Sequence, residues 1–240
     1  MSTTFSPDFR QKLQVFLAAA ILIVGARTAY IVYERYEERR EAEKPKAQPA
    51  LNPDYYVYPK KLHPHDLKSA RELTKQPVWV QVGYGNTYYP YNAARHKADF
   101  DHEAGTLGPL QKLQITDVVT DLSPKRPGEK QVLALFKLDG KPYAVPIGVE
   151  KGGDYQIYSD QIFFIQDPHE LYNHWPPEIW DAIEKHEVRP GMNEIQADFA
   201  VGLGIPQGSG ADHTVKYPNG GKQLVVTYRN GKASEIRPES

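Results

Sequence analysis

Apolar and polar residues exchange over short distances through most of this chain. One long apolar run breaks that habit, from Leu13 to Tyr33. Twelve apolar or small residues follow one another from Val15 to Ala26, and after Arg27 and Thr28 the run resumes to Tyr33. A spanning helix needs about 20 mostly apolar residues. The 21 residues of Leu13–Tyr33 therefore predict one transmembrane helix behind a tail of residues 1–12. Arg27 lies toward one end, where a long side chain reaches the interface, and Tyr30, Tyr33 and Tyr36 suit an interfacial aromatic belt. The competing reading is an export signal cleaved after Val24-Gly25-Ala26; the apolar character beyond that point favours an uncleaved span. A buried helix of a globular body would keep a polar stripe, and Val15–Ala26 has none. Basic residues after the run favour a cytoplasmic body, whereas Arg10 and Lys12 ahead of a first apolar segment look like an export signal. The second argument leads to a cell-membrane, single-pass protein with an extracytoplasmic, periplasmic body.

Past the run the pattern changes twice. Residues 34–54 combine a charged, helix-forming stalk with a proline-rich linker. Residues 55–187 read as a β-rich middle domain with flanking helices. Val78–Val82, Leu113–Thr120, Gln131–Lys137 and Pro142–Ile147 are strand-like, and Asp139-Gly140 between the last two is a hairpin signal. Asp66 is a candidate N-cap, and Pro176-Pro177 open a helix with Ile179, Trp180 and Ile183 on one face. In residues 188–240 Asn193 and Gln196 form a capping-box pair, and Gly202 and Pro206 end the helix. Strands at His213–Tyr217, Gln223–Tyr228 and Lys232–Ile236 follow, the last two joined by Asn230-Gly231. The predicted fold class is a single N-terminal transmembrane helix plus an α+β, mainly β soluble part. That part comprises a small barrel-like middle domain and a helix-plus-three-strand antiparallel unit.

The order Gly191-Met192, helix with Gln196, Leu203-Gly204-x-Pro206, Tyr217, strand with Tyr228, Asn230-Gly231-Lys232 resembles the SmpA/OmlA family of BamE-like outer-membrane assembly proteins. The resemblance covers residues 188–237 and lacks the family's lipidated cysteine. It implies a non-enzymatic, envelope-located module that binds other proteins. In the middle region, Gly105-Thr-Leu107 followed by Leu113-Gln-Ile115 resembles bacterial SH3-like barrels.

Composition narrows the chemistry. With 29 basic and 30 acidic residues there is no basic field for nucleic acid, and with no cysteine there are no disulfides, thiolate metal sites or cysteine nucleophiles. Gly-x-Ser-x-Gly is absent, and Gly220-Gly221-Lys222 lacks the rest of a phosphate loop. His63 and His65 stand at i, i+2 and could share a strand face toward one ion, while Asp99 and Asp101 could act as paired carboxylates or calcium ligands. Neither set completes a known ligand pattern; a solvated loop and an acidic turn explain them, and no cofactor is expected. The best candidate surface is aromatic: Trp79, Tyr84, Tyr88, Tyr89 and Tyr91, drawn from a chain with 16 tyrosines, with Tyr217 and Tyr228 on the C-terminal sheet. The function expected is a membrane-anchored, non-catalytic envelope interaction or assembly module with a protein partner. The alternatives are a membrane-tethered metal-dependent hydrolase on His63, His65, Asp99 and Asp101, and a peptidoglycan-binding module on the aromatic cluster.

Overall fold

Residues 7–43, 52–83, 86–208, 210 and 212–239 are described by the computed structural model, with backbone alone for 7–20 and 41–43. Met1–Asn52 and Pro53–Ser240 separate as two units. In the first, helix α1 runs unbroken from Pro7 to Glu43. The expected transmembrane helix over Leu13–Tyr33 is not supported: among the described residues no helix is long and apolar enough to cross a membrane. The reason lies in the helix sequence. Arg27 interrupts the apolar run, and eight of the ten residues from Glu34 to Glu43 are charged. The single-pass span is therefore unsupported among the described residues. The first six residues of the expected tail and the linker residues 44–51 lie outside the described residues.

The second unit opens with a 3₁₀ turn, Pro53–Tyr56, and a short helix α2, Leu67–Ala70, that runs into another 3₁₀ turn, Arg71–Lys75. Asp66 caps α2 by accepting the Ser69 N–H. Strands β1 (Val78–Val80), β2 (Thr87–Asn92), β3 (Lys97–Ala98), β4 (Gly105–Thr106) and β5 (Lys112–Leu113) follow, then the long β6 (Ile115–Leu122), β7 (Glu129–Leu138) and β8 (Lys141–Lys151). Next come β9 (Asp154–Ile157), α3 (Ser159–Ile162), β10 (Phe163–Phe164), α4 (Pro168–Leu171) and α5 (Pro177–Glu184). The chain ends with α6 (Glu194–Val201), β11 (Ile205–Gln207), β12 (His213–Tyr217), β13 (Leu224–Arg229) and β14 (Lys232–Pro238).

The long strands meet at Asp139-Gly140, where both residues take positive φ (49° and 77°), as a two-residue turn between right-twisted strands demands. The middle sheet is ordered β3-β2-β8-β7-β6, with β4 on β2 and β9 on β8. It curls into a half-barrel rather than the small barrel expected, because among the described residues no strand joins β6 to the two-residue β3. One face carries a core of Val118, Val132, Ala134, Phe136, Val145 and Ile147, capped by Leu73, Val78, Val80 and Phe163. The opposite face carries a smaller cluster of Tyr91, Leu133 and Ala144, with Phe100, Val119 and Leu135 against it.

The C-terminal sheet has four strands, β11-β12-β13-β14, where three were expected. Proline at 206 argues for a helix stop, yet Ile205–Gln207 pairs with β12 as an edge strand, where proline is tolerated. Helix α6 begins at the Asn193–Gln196 capping box. Gly204 sits against the sheet so closely that a Cβ would lie 2.3 Å from Val215 Cγ1 and 2.6 Å from the Tyr217 ring. One apolar cluster joins Phe164, Tyr172, Trp175 and Trp180 to Phe199, Tyr217 and Tyr228, and so crosses position 188. Its aromatic contacts, such as Tyr172–Trp175 at 4.4 Å and Trp175–Phe199 at 5.3 Å, each contribute about 0.5–1.5 kcal/mol beyond area burial. Asp54 ties the opening turn to this cluster. Its buried carboxylate accepts from His174 Nε2 (2.5 Å), Trp175 Nε1 (2.6 Å) and Asn193 Nδ2 (2.6 Å). Burial works to raise its pKa, but the hydrogen bonds from His174, Trp175 and Asn193 outweigh that and hold it below the usual range.

Candidate functional site

The pairing of β8 creates a gap in the middle sheet. Near its start, Tyr143 and Ala144 pair with Pro90 and Tyr89 of β2. Toward its end, Gly148–Lys151 pairs with β9. The neighbour changes over Val145–Ile147. There Val132 of β7 faces Gly148 while Leu133 faces Pro146, so Ile147 is the extra residue of a β-bulge. Pro146 has no N–H to offer a neighbouring strand. Position 148 must be glycine for β9 to approach: a Cβ there would lie 2.6 Å from the Gln156 carbonyl oxygen. Proline, bulge and glycine thus open a seam between β2 and β9.

Two adjoining cavities of about 560 Å³ and about 490 Å³ lie along this seam, sharing Tyr89, Pro146 and Tyr158. On one side are Asn86, Thr87 and Gln161; on the other, Ser123, Gln131 and Gln156. Phe100 stands edge-on to Tyr89 with ring centroids 5.2 Å apart, so β2 and the segment after β3 together build an aromatic wall. Lys125 and Arg126, on the β6–β7 loop, close one end. Burial raises the pKa of both phenols, with the charge of Glu103 adding to the effect at Tyr89, so both remain neutral hydrogen-bonding groups. No Asp, Glu, His or Cys is among the described residues lining either cavity.

Of the described aromatic residues that were expected at a surface, Tyr89 alone reaches this groove. Strand alternation sends Tyr88 to the other face, against Phe136 (5.6 Å) and Tyr143 (5.1 Å). Tyr91 is buried in the smaller cluster. Trp79 is half-buried in β1, carries the Lys112 ammonium 5.1 Å above its ring, and lines a separate cleft of about 410 Å³ with Trp180 and His169. Tyr217 and Tyr228 are fully buried, their hydroxyls 2.8 Å apart, so neither offers a contact surface. Tyr84 lies outside the described residues.

The polar candidates stand apart from the groove, in local contacts or facing solvent. The His63 main-chain N–H donates to Asp160 Oδ2 at 2.7 Å while its ring Nδ1 lies 3.7 Å from the same oxygen, and His65 Nε2 lies 4.0 Å from the Asp66 carboxylate. Asp99 faces His102 at 3.0 Å, and Asp101 is exposed. Among the described residues no group of three His, Cys, Asp or Glu could hold a metal ion. Sequence reasoning missed Phe100, Lys125, Arg126 and Tyr158. Tyr158 follows a short apolar strand and carried a weak signal; the other three come from loops whose place beside the seam depends on distant pairing. No protein-family model matches the chain, and neither a curated protein nor a solved structure does.

Proposed function

We propose that this chain is a non-catalytic recognition module whose ligand lies in the seam groove. The carrying observation is the lining: Tyr89, Phe100 and Tyr158, all half-buried, flanked by neutral amides and hydroxyls, with no His, Asp, Glu or Cys among the described lining residues. Partly exposed rings supply rigid amphipathic contact area, and a few polar groups fix orientation. General acid–base chemistry near neutral pH draws on His, Asp, Glu or Cys above all, none of which is among the described lining residues. The resemblance of residues 188–237 to SmpA/OmlA modules, which bind without catalysis, points the same way.

The absence of cysteine makes the test clean. Gln156→Cys places a unique thiol on the groove and Glu235→Cys one on exposed β14; each is labelled with an environment-sensitive dye. Fractionated extract of cells that make the chain should shift emission at position 156 and not at 235, and Tyr89→Ala should abolish the shift. No shift at 156, or the same shift at both positions, would overturn the reading.

A further inference from the structure

We infer that the groove takes an acidic oligosaccharide, one whose sugar rings carry carboxylates; the inference rests on the groove being the recognition surface. Three observations lead there. The first is charge. Lys125 has no ion-pair partner among the described residues. Arg126 reaches Glu129 only at 3.5 Å, and Glu129 is shared with Lys151 at 3.3 Å. The two lining cations therefore have one carboxylate between them, Glu129, which Lys151 also holds, in a chain whose formal net charge is −1. Glu103 influences Tyr89 but is not among the lining residues. A guanidinium beside an ammonium is a carboxylate receptor, and the fork of Arg126 can bind both oxygens.

The second observation separates a sugar from a peptide. A peptide strand binds a sheet by continuing its main-chain ladder. At the seam Pro146 withholds an N–H, Ile147 is bulged, and β2 and β9 already occupy the two flanks. Recognition must fall to side chains. The third is what those side chains are. Asn86, Thr87, Ser123, Gln131, Gln156 and Gln161 are neutral groups that donate and accept, suited to a ligand dense in hydroxyls. Tyr89, Phe100 and Tyr158 present rings against which the C–H faces of sugars pack.

The test is calorimetric titration of the full chain, at low and at physiological salt, with three probes of matched length: hexagalacturonate, cellohexaose and hexa-L-glutamate. Hexagalacturonate should bind at least tenfold tighter than either of the others and weaken with salt. Lys125→Gln with Arg126→Gln should weaken it about tenfold and remove the advantage over cellohexaose. Tyr89→Ala should weaken it comparably, while Tyr89→Phe, which keeps the ring packed on Phe100, should weaken it far less. Unchanged unfolding midpoints show that the variants fold. Equal binding of hexa-L-glutamate would overturn the assignment in favour of acidic peptides, and equal binding of cellohexaose would remove the role of charge. If no probe binds while the dye at position 156 still answers to cell extract, the ligand class falls and the groove reading stands. If neither responds, both fall.

Discussion

Asp198 offers the sharpest quantitative prediction. It is half-buried on α6, and its Oδ1 accepts the Gly204 N–H at 3.1 Å. Burial pushes its pKa up to about 7, against a partial offset from the Gly204 hydrogen bond and a further push from Glu194. Around it, Glu194 binds His213 at 2.7 Å, and burial keeps the Tyr217 and Tyr228 phenols neutral. The sign follows from the raised folded value. Below the ordinary carboxylate pKa both states hold the proton and stability is full. As pH rises toward about 7 the unfolded chain releases its proton while the folded chain keeps it, so stability falls; above about 7 both are ionised and the loss is complete. The shift from 3.8 to about 7 corresponds to about 4 kcal/mol at most, and residual solvent access to the carboxylate brings the expectation to about 2–4 kcal/mol. Asp198→Asn keeps an oxygen for Gly204 and removes the titration. Urea unfolding of both chains should give similar stabilities near about pH 4 and a gain for Asp198→Asn of about 2–4 kcal/mol near about pH 8. A difference between the chains that does not change with pH would refute the burial argument.

Two further outcomes follow from packing. Asp54→Ala leaves the donors on His174, Trp175 and Asn193 without their shared buried acceptor, and urea unfolding should show a loss of about 3–5 kcal/mol; a loss below about 1 kcal/mol would contradict the role given to that carboxylate. Gly148→Ala must displace β9 from β8, costing about 1–3 kcal/mol in the same assay and blunting the dye response at position 156. Unchanged stability and response would mean that the glycine does not set the seam.

What the sequence shows of this fold is local. Asp139-Gly140 and Asn230-Gly231 both form turns with two positive φ angles, and Asn193 with Gln196 forms its capping box, because each depends on contacts within a few residues. Strand β2 was not among the elements read from the sequence, and which of its faces stays open is decided by β8, over fifty residues away, so Tyr88 and Tyr89 part company. The burial of Tyr217 and Tyr228 arises from α6 folding back on the sheet, with Gly204 allowing the close approach. The apolar run misleads because Arg27, taken as an interfacial residue, interrupts it, and charged turns continue the same helix. The seam was least legible of all. Pro146, Ile147 and Gly148 read as ordinary strand residues until their partners on β2, β7 and β9 are known.

Occupancy of the groove in the living cell is the central claim, and a photo-reactive residue tests it most directly. Benzoylphenylalanine at Gln161, exposed on the groove lining, is compared with the same residue at Glu235 on the far strand of the C-terminal sheet. After irradiation the account predicts adducts at position 161 that disappear with Tyr89→Ala, and none at 235. Adducts at 235 with none at 161 would contradict it, and would move the recognition surface to the C-terminal sheet.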